Sequence, residues 1–253
     1  VPTDRNSSFL RGAAQAPPAI RAALFNGASN LTSETGVALD APGVMEDAGD
    51  LPLREDDGDF AAIEAAFRAL GRPFVALGGD HSITYPVLRG LAASGTRVNV
   101  LHFDAHPDLY DSYEGNRLSH ACPFARVMEE GLAGRLVQVG IRTANAHQRA
   151  QAERFGVETV FMDGFTPAAV PIPDPPLYVT IDLDALDPAF APGVSHPEPG
   201  GLAVRDVLAV LRRVRGPVLG ADVVELNPRR DHQGLTAVVA AKLVKELGAL
   251  MAR

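Results

Sequence analysis

Two hydrophobic periods alternate along the chain. Short unbroken apolar runs at 74–77 (FVAL), 98–103 (VNVLHF) and 177–181 (LYVTI) read as strands covered on both faces, because such runs leave no side for water. Elsewhere apolar residues return every three or four positions. Phe60, Ile63, Phe67 and Leu70 share one face of a helix that Asp59 caps and that Gly71 and Pro73 end. The same pattern predicts helices over 85–93, 122–130, 146–155 and 205–214, each followed by a strand, at 98–103, 135–141, 157–162 and 218–226. A last helix over 235–251 turns Val238, Leu243, Val244 and Leu247 towards the core. Alternating strands and helices predict an α/β fold: a single three-layer α/β/α domain over 1–253 with a mostly parallel central sheet. The proline-rich stretches 167–176 and 191–199 are too short for linkers and read as loops. Val1, Pro2, Thr3 and Asp4 read as the tail of a strand entering a loop, so an apolar segment is expected before Val1.

Composition narrows the function. A formal net charge of −8 leaves no basic footprint for nucleic acid and suits a small cationic partner. Every apolar run falls well short of the roughly 20 residues that span a membrane. Cys122 is the only cysteine, so no intramolecular disulfide can form, and a cytosolic home is expected.

Three polar clusters end three strands: GGDHS at 78–82, DAHPD at 104–108 and DLD at 182–184. Side chains two positions apart beyond a strand share a face, so Asp104, His106 and Asp108 can converge, as can Asp182 and Asp184. Two glycines before Asp80 allow a tight turn that sets His81 near the top of its strand. Four ionised carboxylates cannot be crowded into a cleft without either raised pKa values or compensating cations, and two divalent ions would balance them. Ions about 3.5–4 Å apart with shared carboxylates make a hydrolytic centre that acidifies a bridging water. Oxygen and nitrogen donors without thiolate favour Mn²⁺ or a similar divalent ion over a structural zinc. All three clusters lie where open α/β sheets bind ligands, beyond the carboxyl ends of the strands.

These motifs, with DLDALDPAFAPGVSHPEPGG completing the third at 182–201, resemble the ureohydrolase family of arginases and agmatinases. The likeness runs from NSSFLRG at 6–12 to DVVELNP at 222–228 and is most similar to plant-type arginases through YDSYEGNRLSHACPFAR at 110–126 and the 236–247 segment. It implies an arginase-like fold and two Mn²⁺ ions, one on His81, Asp104, Asp108 and Asp182, the other on Asp104, His106, Asp182 and Asp184. It further implies that Asp108 orients the attacking water, that His120 shuttles protons and that Glu225 pairs with a substrate guanidinium. The reaction implied is release of urea from a small cationic guanidino substrate by a homo-oligomer, trimeric or hexameric. Asn116, Ser119 and Asn145 are expected in the outer pocket, beside Asp111 and Ser112. Asn145 stands where many arginases place an acid. Arginine, giving ornithine, is the favoured substrate, with agmatine and 4-guanidinobutyrate as alternatives. Two remoter readings are a single-metal zinc deacetylase of the histone-deacetylase type and a metal-free relative, against which stand two complete ligand sets and Glu225. His102 reads as a hydrogen-bonded core residue, His196 as a loop brace, and Asp80 and Asp187 as partners that orient ligands.

Overall fold

The unbroken apolar runs form strands, and the computed structural model, which describes residues 1–252, pairs them into one sheet. They are β1 (Phe74–Leu77), β2 (Val98–Phe103), β3 (Ala133–Ile141), β4 (Glu158–Phe161), β5 (Leu177–Asp182) and β6 (Val218–Val224). Every neighbouring pair is parallel, in the spatial order β1-β6-β5-β2-β3-β4. Parallel strands need long crossovers. Helices α1 (Ala16–Phe25) and α2 (Asp59–Leu70) precede β1; α3 (Thr84–Ala92), α4 (Pro123–Glu129), α5 (Ala146–Phe155) and α6 (Val204–Leu211) cross between strands; α7 (Leu235–Met251) closes the chain.

Successive strand residues point to opposite faces, and each face has its own core. Leu101, Phe103, Val179, Ile181 and Val223 pack with residues of α1, α6 and α7, among them Ile20, Val207, Leu243 and Leu247. Val100, Leu136 and Tyr178 pack with Ile63, Val87, Leu88 and Phe124 of α2, α3 and α4.

Four local readings change. Asp59 does not cap its helix: it is the first residue of α2, behind Gly58 at the N-cap, and its carboxylate accepts from Arg54 N and Glu55 N instead. The periodicity does not announce α1, because Pro17 and Pro18 read as breakers; proline is tolerated in a first turn, whose N–H groups have no helical partner, and Ile20 and Leu24 then bury one face. Val238 is 51% exposed, since α7 buries the side carrying Ala237, Ala240, Ala241 and Val244 instead. Gly78 and Gly79 serve close approach rather than a tight turn. Neither adopts a positive φ, and a Cβ on Gly79 would lie 1.6 Å from the Thr3 carbonyl oxygen. That contact holds the first residues beside the end of β1, where the Val1 amine donates to Leu77 O and Gly79 N donates to Val1 O.

The chain leaves β2 for β3 on one side and leaves β5 for β6 on the other, although β2 and β5 are adjacent. A crevice opens at such a switch point. Asp104 and Asp182 stand at its two lips. A groove of about 890 Å³ beside β1, lined by Val1, Phe67, Leu70 and Phe74 among others, holds none of the residues named for chemistry.

Candidate metal centre

Six side chains converge at the crevice. His81 opens a 3₁₀ turn after β1, where Asp80 accepts from Ser82 N and so fixes the turn. Its ring is fully buried, and Nδ1 stands 3.1 Å from Asp104 Oδ2, 3.1 Å from Asp108 Oδ2 and 3.3 Å from Asp182 Oδ2. That nitrogen nevertheless makes no hydrogen bond among the described residues. A nitrogen facing three carboxylate oxygens is a cation's donor set. A second group lies alongside: His106 Nδ1 is 3.1 Å from Asp184 Oδ2 and 3.4 Å from Asp104 Oδ1. Asp104 thus offers one oxygen to each group, and the donor atoms of Asp104, His106 and Asp184 all lie within 4.8 Å of one another. The residues fit a pair of divalent ions.

Backbone geometry sharpens the site. Asp108 (φ 51) and Glu225 (φ 66) both adopt the left-handed conformation, which non-glycine residues seldom hold outside a structure that enforces it. Sequence reading cannot register this, since neither residue is a glycine or an asparagine.

The charges are out of balance without a cation. Burial, then the neighbouring Asp184 and Asp104, push Asp182 well above the usual carboxylate range. Burial and the charge of Asp104 push Asp108 up to about 7. Asp184 is also raised by burial, against the pull of His106. The imidazoles answer with protons. Burial opposes charge on His106, yet Asp184 and Asp104 push it up to about 12; His81 is held well above its usual range, against burial, by Asp104, Asp108 and Asp182. Asp104 alone goes well below the usual range, since His102, His106 and His81 outweigh its burial. These protons occupy the place of metal charge, and metal binding would release them.

Glu225 and His120 form the adjoining wall. Glu225 Oε1 accepts from His81 N and bonds His120 Nδ1, both at 2.8 Å, which leaves Oε2 without a hydrogen bond among the described residues. Although burial opposes its charge, His120 is pushed up to about 9 by Glu225. Its other nitrogen, Nε2, meets Ser8 Oγ at 2.8 Å and Ser8 N at 3.2 Å. The loop carrying Ser8 is sewn to the site, since Asp80 Oδ2 accepts from Asn6 N and Ser7 Oγ and the Asn6 carbonyl accepts from His120 N. Asp80 therefore anchors this loop with one oxygen while its other oxygen fixes the turn that carries His81, whereas Asp187 serves only its own loop through Ala189 N, Gly200 N and Gly201 N. His196 lies with its ring 5.1 Å from His120 and 6.2 Å from His106. Cys122 is buried and its thiol pushed up to about 12, chiefly by that burial, so it is no nucleophile.

The outer residues stand apart from this cluster. Asn145 caps α5, accepting from Gln148 N and donating to Tyr110 Oη. Asn116 donates to Asn6 Oδ1 and accepts from Leu118 N, while the buried Ser119 accepts from Ala121 N. None of the three hydrogen-bonds to the inner six.

The arginase family model matches residues 1–249. The chain belongs to the arginase family. It is a metal-dependent amidinohydrolase, and its resemblance to plant arginases is borne out. "Arginase 1, mitochondrial" of Arabidopsis thaliana is 49% identical, over 100% of this chain and 80% of that protein. The solved arginase of Medicago truncatula superposes with a TM-score of 0.91 at 46% identity, covering 99% of this chain and 85% of that one. The agmatine ureohydrolase of Thermoplasma volcanium is more distant, at TM-score 0.85 and 32% identity over 98% and 86%. One expectation is overturned here. Arginase relatives named as mitochondrial or chloroplastic contradict the cytosolic home. A lone cysteine excludes an intramolecular disulfide and nothing more, so it never separated cytosol from organelle.

Proposed function

We propose that the chain hydrolyses arginine to ornithine and urea at a centre of two Mn²⁺ ions, as one domain. The observation that carries the two-metal reading is Asp104, whose two oxygens face two different histidine-bearing groups. His81, Asp104, Asp108 and Asp182 would hold one ion, and Asp104, His106, Asp182 and Asp184 would hold the other. Manganese held by these residues would supply Lewis acidity, which makes a nearby water a better nucleophile near neutral pH.

The remaining work belongs to the chain. Asp108, fixed by its left-handed backbone at the edge of the first group, orients the attacking water. Glu225 Oε2 accepts guanidinium N–H donors, while its other oxygen is pinned by His81 N and His120, so the substrate carbon is held in one place. His120, held by Glu225 through Nδ1, passes a proton to the leaving amine. Asn116, Ser119 and Asn145 shape the outer wall that receives the α-amino and carboxylate groups. The preference for arginine over agmatine rests on the nearer likeness to plant arginases. Family likeness also supports a homo-oligomer, trimeric or hexameric. Urea release from arginine, agmatine and 4-guanidinobutyrate by Mn²⁺-loaded protein tests the reading. A kcat/KM highest for arginine is expected, and a higher value for either rival would displace it.

A further inference from the structure

The sheet carries a polar row where a core is expected. Gln138 of β3, His102 of β2, Thr180 of β5 and Asp222 of β6 pair in register across four adjacent strands, and none is exposed. The row lies two residues before Asp104 and Asp182, directly beneath the metal centre. Thr180 Oγ1 bonds His81 Nε2 at 2.9 Å. His102 has no part in the proposed mechanism, yet its Nε2 lies 2.8 Å from Asp104 Oδ2.

The tautomer of His102 follows from its other nitrogen. Gln138 Nε2 lies 2.6 Å from the Pro107 carbonyl oxygen and 3.1 Å from His102 Nδ1. A carbonyl can only accept, so the amide group turned towards Pro107 is the NH₂; the opposite flip would set two carbonyl oxygens 2.6 Å apart. The same NH₂ has a second hydrogen, which His102 Nδ1 accepts. Nε2 then carries the ring proton and donates it to Asp104. This arrangement leaves Gln138 Oε1 buried without a partner among the described residues, a defect the fold keeps. The ring itself is clamped by stacking on Phe124, centroids 4.0 Å apart.

We propose that His102 is a positioning residue: held by Gln138 and Phe124, it fixes the bridging carboxylate of Asp104 through Nε2–H and so sets metal affinity. The inference rests on Asp104 as the shared ligand. It also sets aside His102 as a ligand in its own right, although His81, His102 and Asp104 lie close enough to hold an ion. Both ring nitrogens are already engaged, and a donor N–H offers no lone pair. Hydrogen-bonded partners of metal ligands commonly change affinity about 10–100-fold when lost.

The test titrates Mn²⁺ into metal-free wild type, His102→Phe and His102→Gln by calorimetry, with metal-free melting temperatures as a control on folding. His102→Phe keeps the aromatic stack without the donor and should weaken binding about 10–100-fold. His102→Gln restores a donor at that place and should recover most of the loss. NMR of the wild-type protein with ¹⁵N-labelled histidine needs no variant and should show His102 protonated at Nε2 and bare at Nδ1. Wild-type affinity in His102→Phe, a proton on Nδ1, or a drop from two ions to one in both variants would overturn the proposal, the last by making His102 a ligand. Wild type that takes up no Mn²⁺ would overturn it together with the metal reading, and only that outcome reaches so far.

Discussion

The inner site and its outer wall are built on opposite principles. Around Asp104 and His81, carboxylates crowd together and a buried nitrogen faces three oxygens without a hydrogen bond among the described residues. Around Asn145, Asn116 and Asp111, polar groups are already bonded to a protein neighbour: Tyr110 and Gln148, Asn6 and Leu118, and Gln151 respectively. The first region is incomplete without a cation and the second is complete without a ligand. Substitutions in the first should therefore change chemistry, and those in the second should act on the scale of one hydrogen bond.

The sharpest way to break this contrast is Asp182→Asn. With Mn²⁺ present, kcat/KM should fall by at least about 10³-fold, beyond what loss of one electrostatic donor costs. Without metal the same change should raise the melting temperature, because it removes a carboxyl that burial and its neighbours force to take up a proton on folding. A metal-free variant less stable than wild type would show that the cluster is held by its own contacts. Glu225→Gln comes next. It should keep both metals and lose about 10–100-fold in kcat/KM, the worth of one charge-assisted hydrogen bond; unchanged kinetics with every guanidino substrate would remove Glu225 from substrate binding.

The dependence on pH has a definite sign. Between the ordinary carboxylate value of about 4 and its folded value of about 7, Asp108 holds a proton only in the folded state, so metal-free stability falls as pH rises through that window. His106, pushed up to about 12, keeps its proton in the fold while the unfolded ring loses it above about 6.5, which extends the fall. Manganese requires these groups free of protons, so its affinity rises over the same range. The gap in melting temperature between Mn²⁺-loaded and metal-free protein should therefore widen from about pH 5 to pH 8, by roughly 5–10 °C at saturating metal. A gap that narrows would contradict the charge accounting. The smallest effect belongs to the outer wall: Asn145→Ala loses an N-cap worth about 1 kcal/mol, or roughly 2–4 °C in a domain of this size, with metal content intact.

The strands and most helices were legible in the sequence because period and punctuation agree there. The run FVAL becomes β1 and the pattern over 146–155 becomes α5. The first helix was not, since two prolines signal a break and a helix start alike. The six candidate ligands stood out because strand ends multiply the meaning of each Asp and His. Ser8, His102 and Gln138 did not. Their importance lies in contacts across 112 and 36 residues of chain, and a lone buried histidine looks the same whether it braces a carboxylate or fills a core. The left-handed backbone at Asp108 and Glu225 is likewise set by surroundings and not by residue type.

The central claim is that Asp104 and Asp182 bridge two ions. Anomalous diffraction from crystals of the Mn²⁺-loaded protein tests it most directly. Two manganese peaks about 3.5–4 Å apart, with Asp104 and Asp182 between them, are the expected result. A single peak, or two ions that share neither carboxylate, would contradict it.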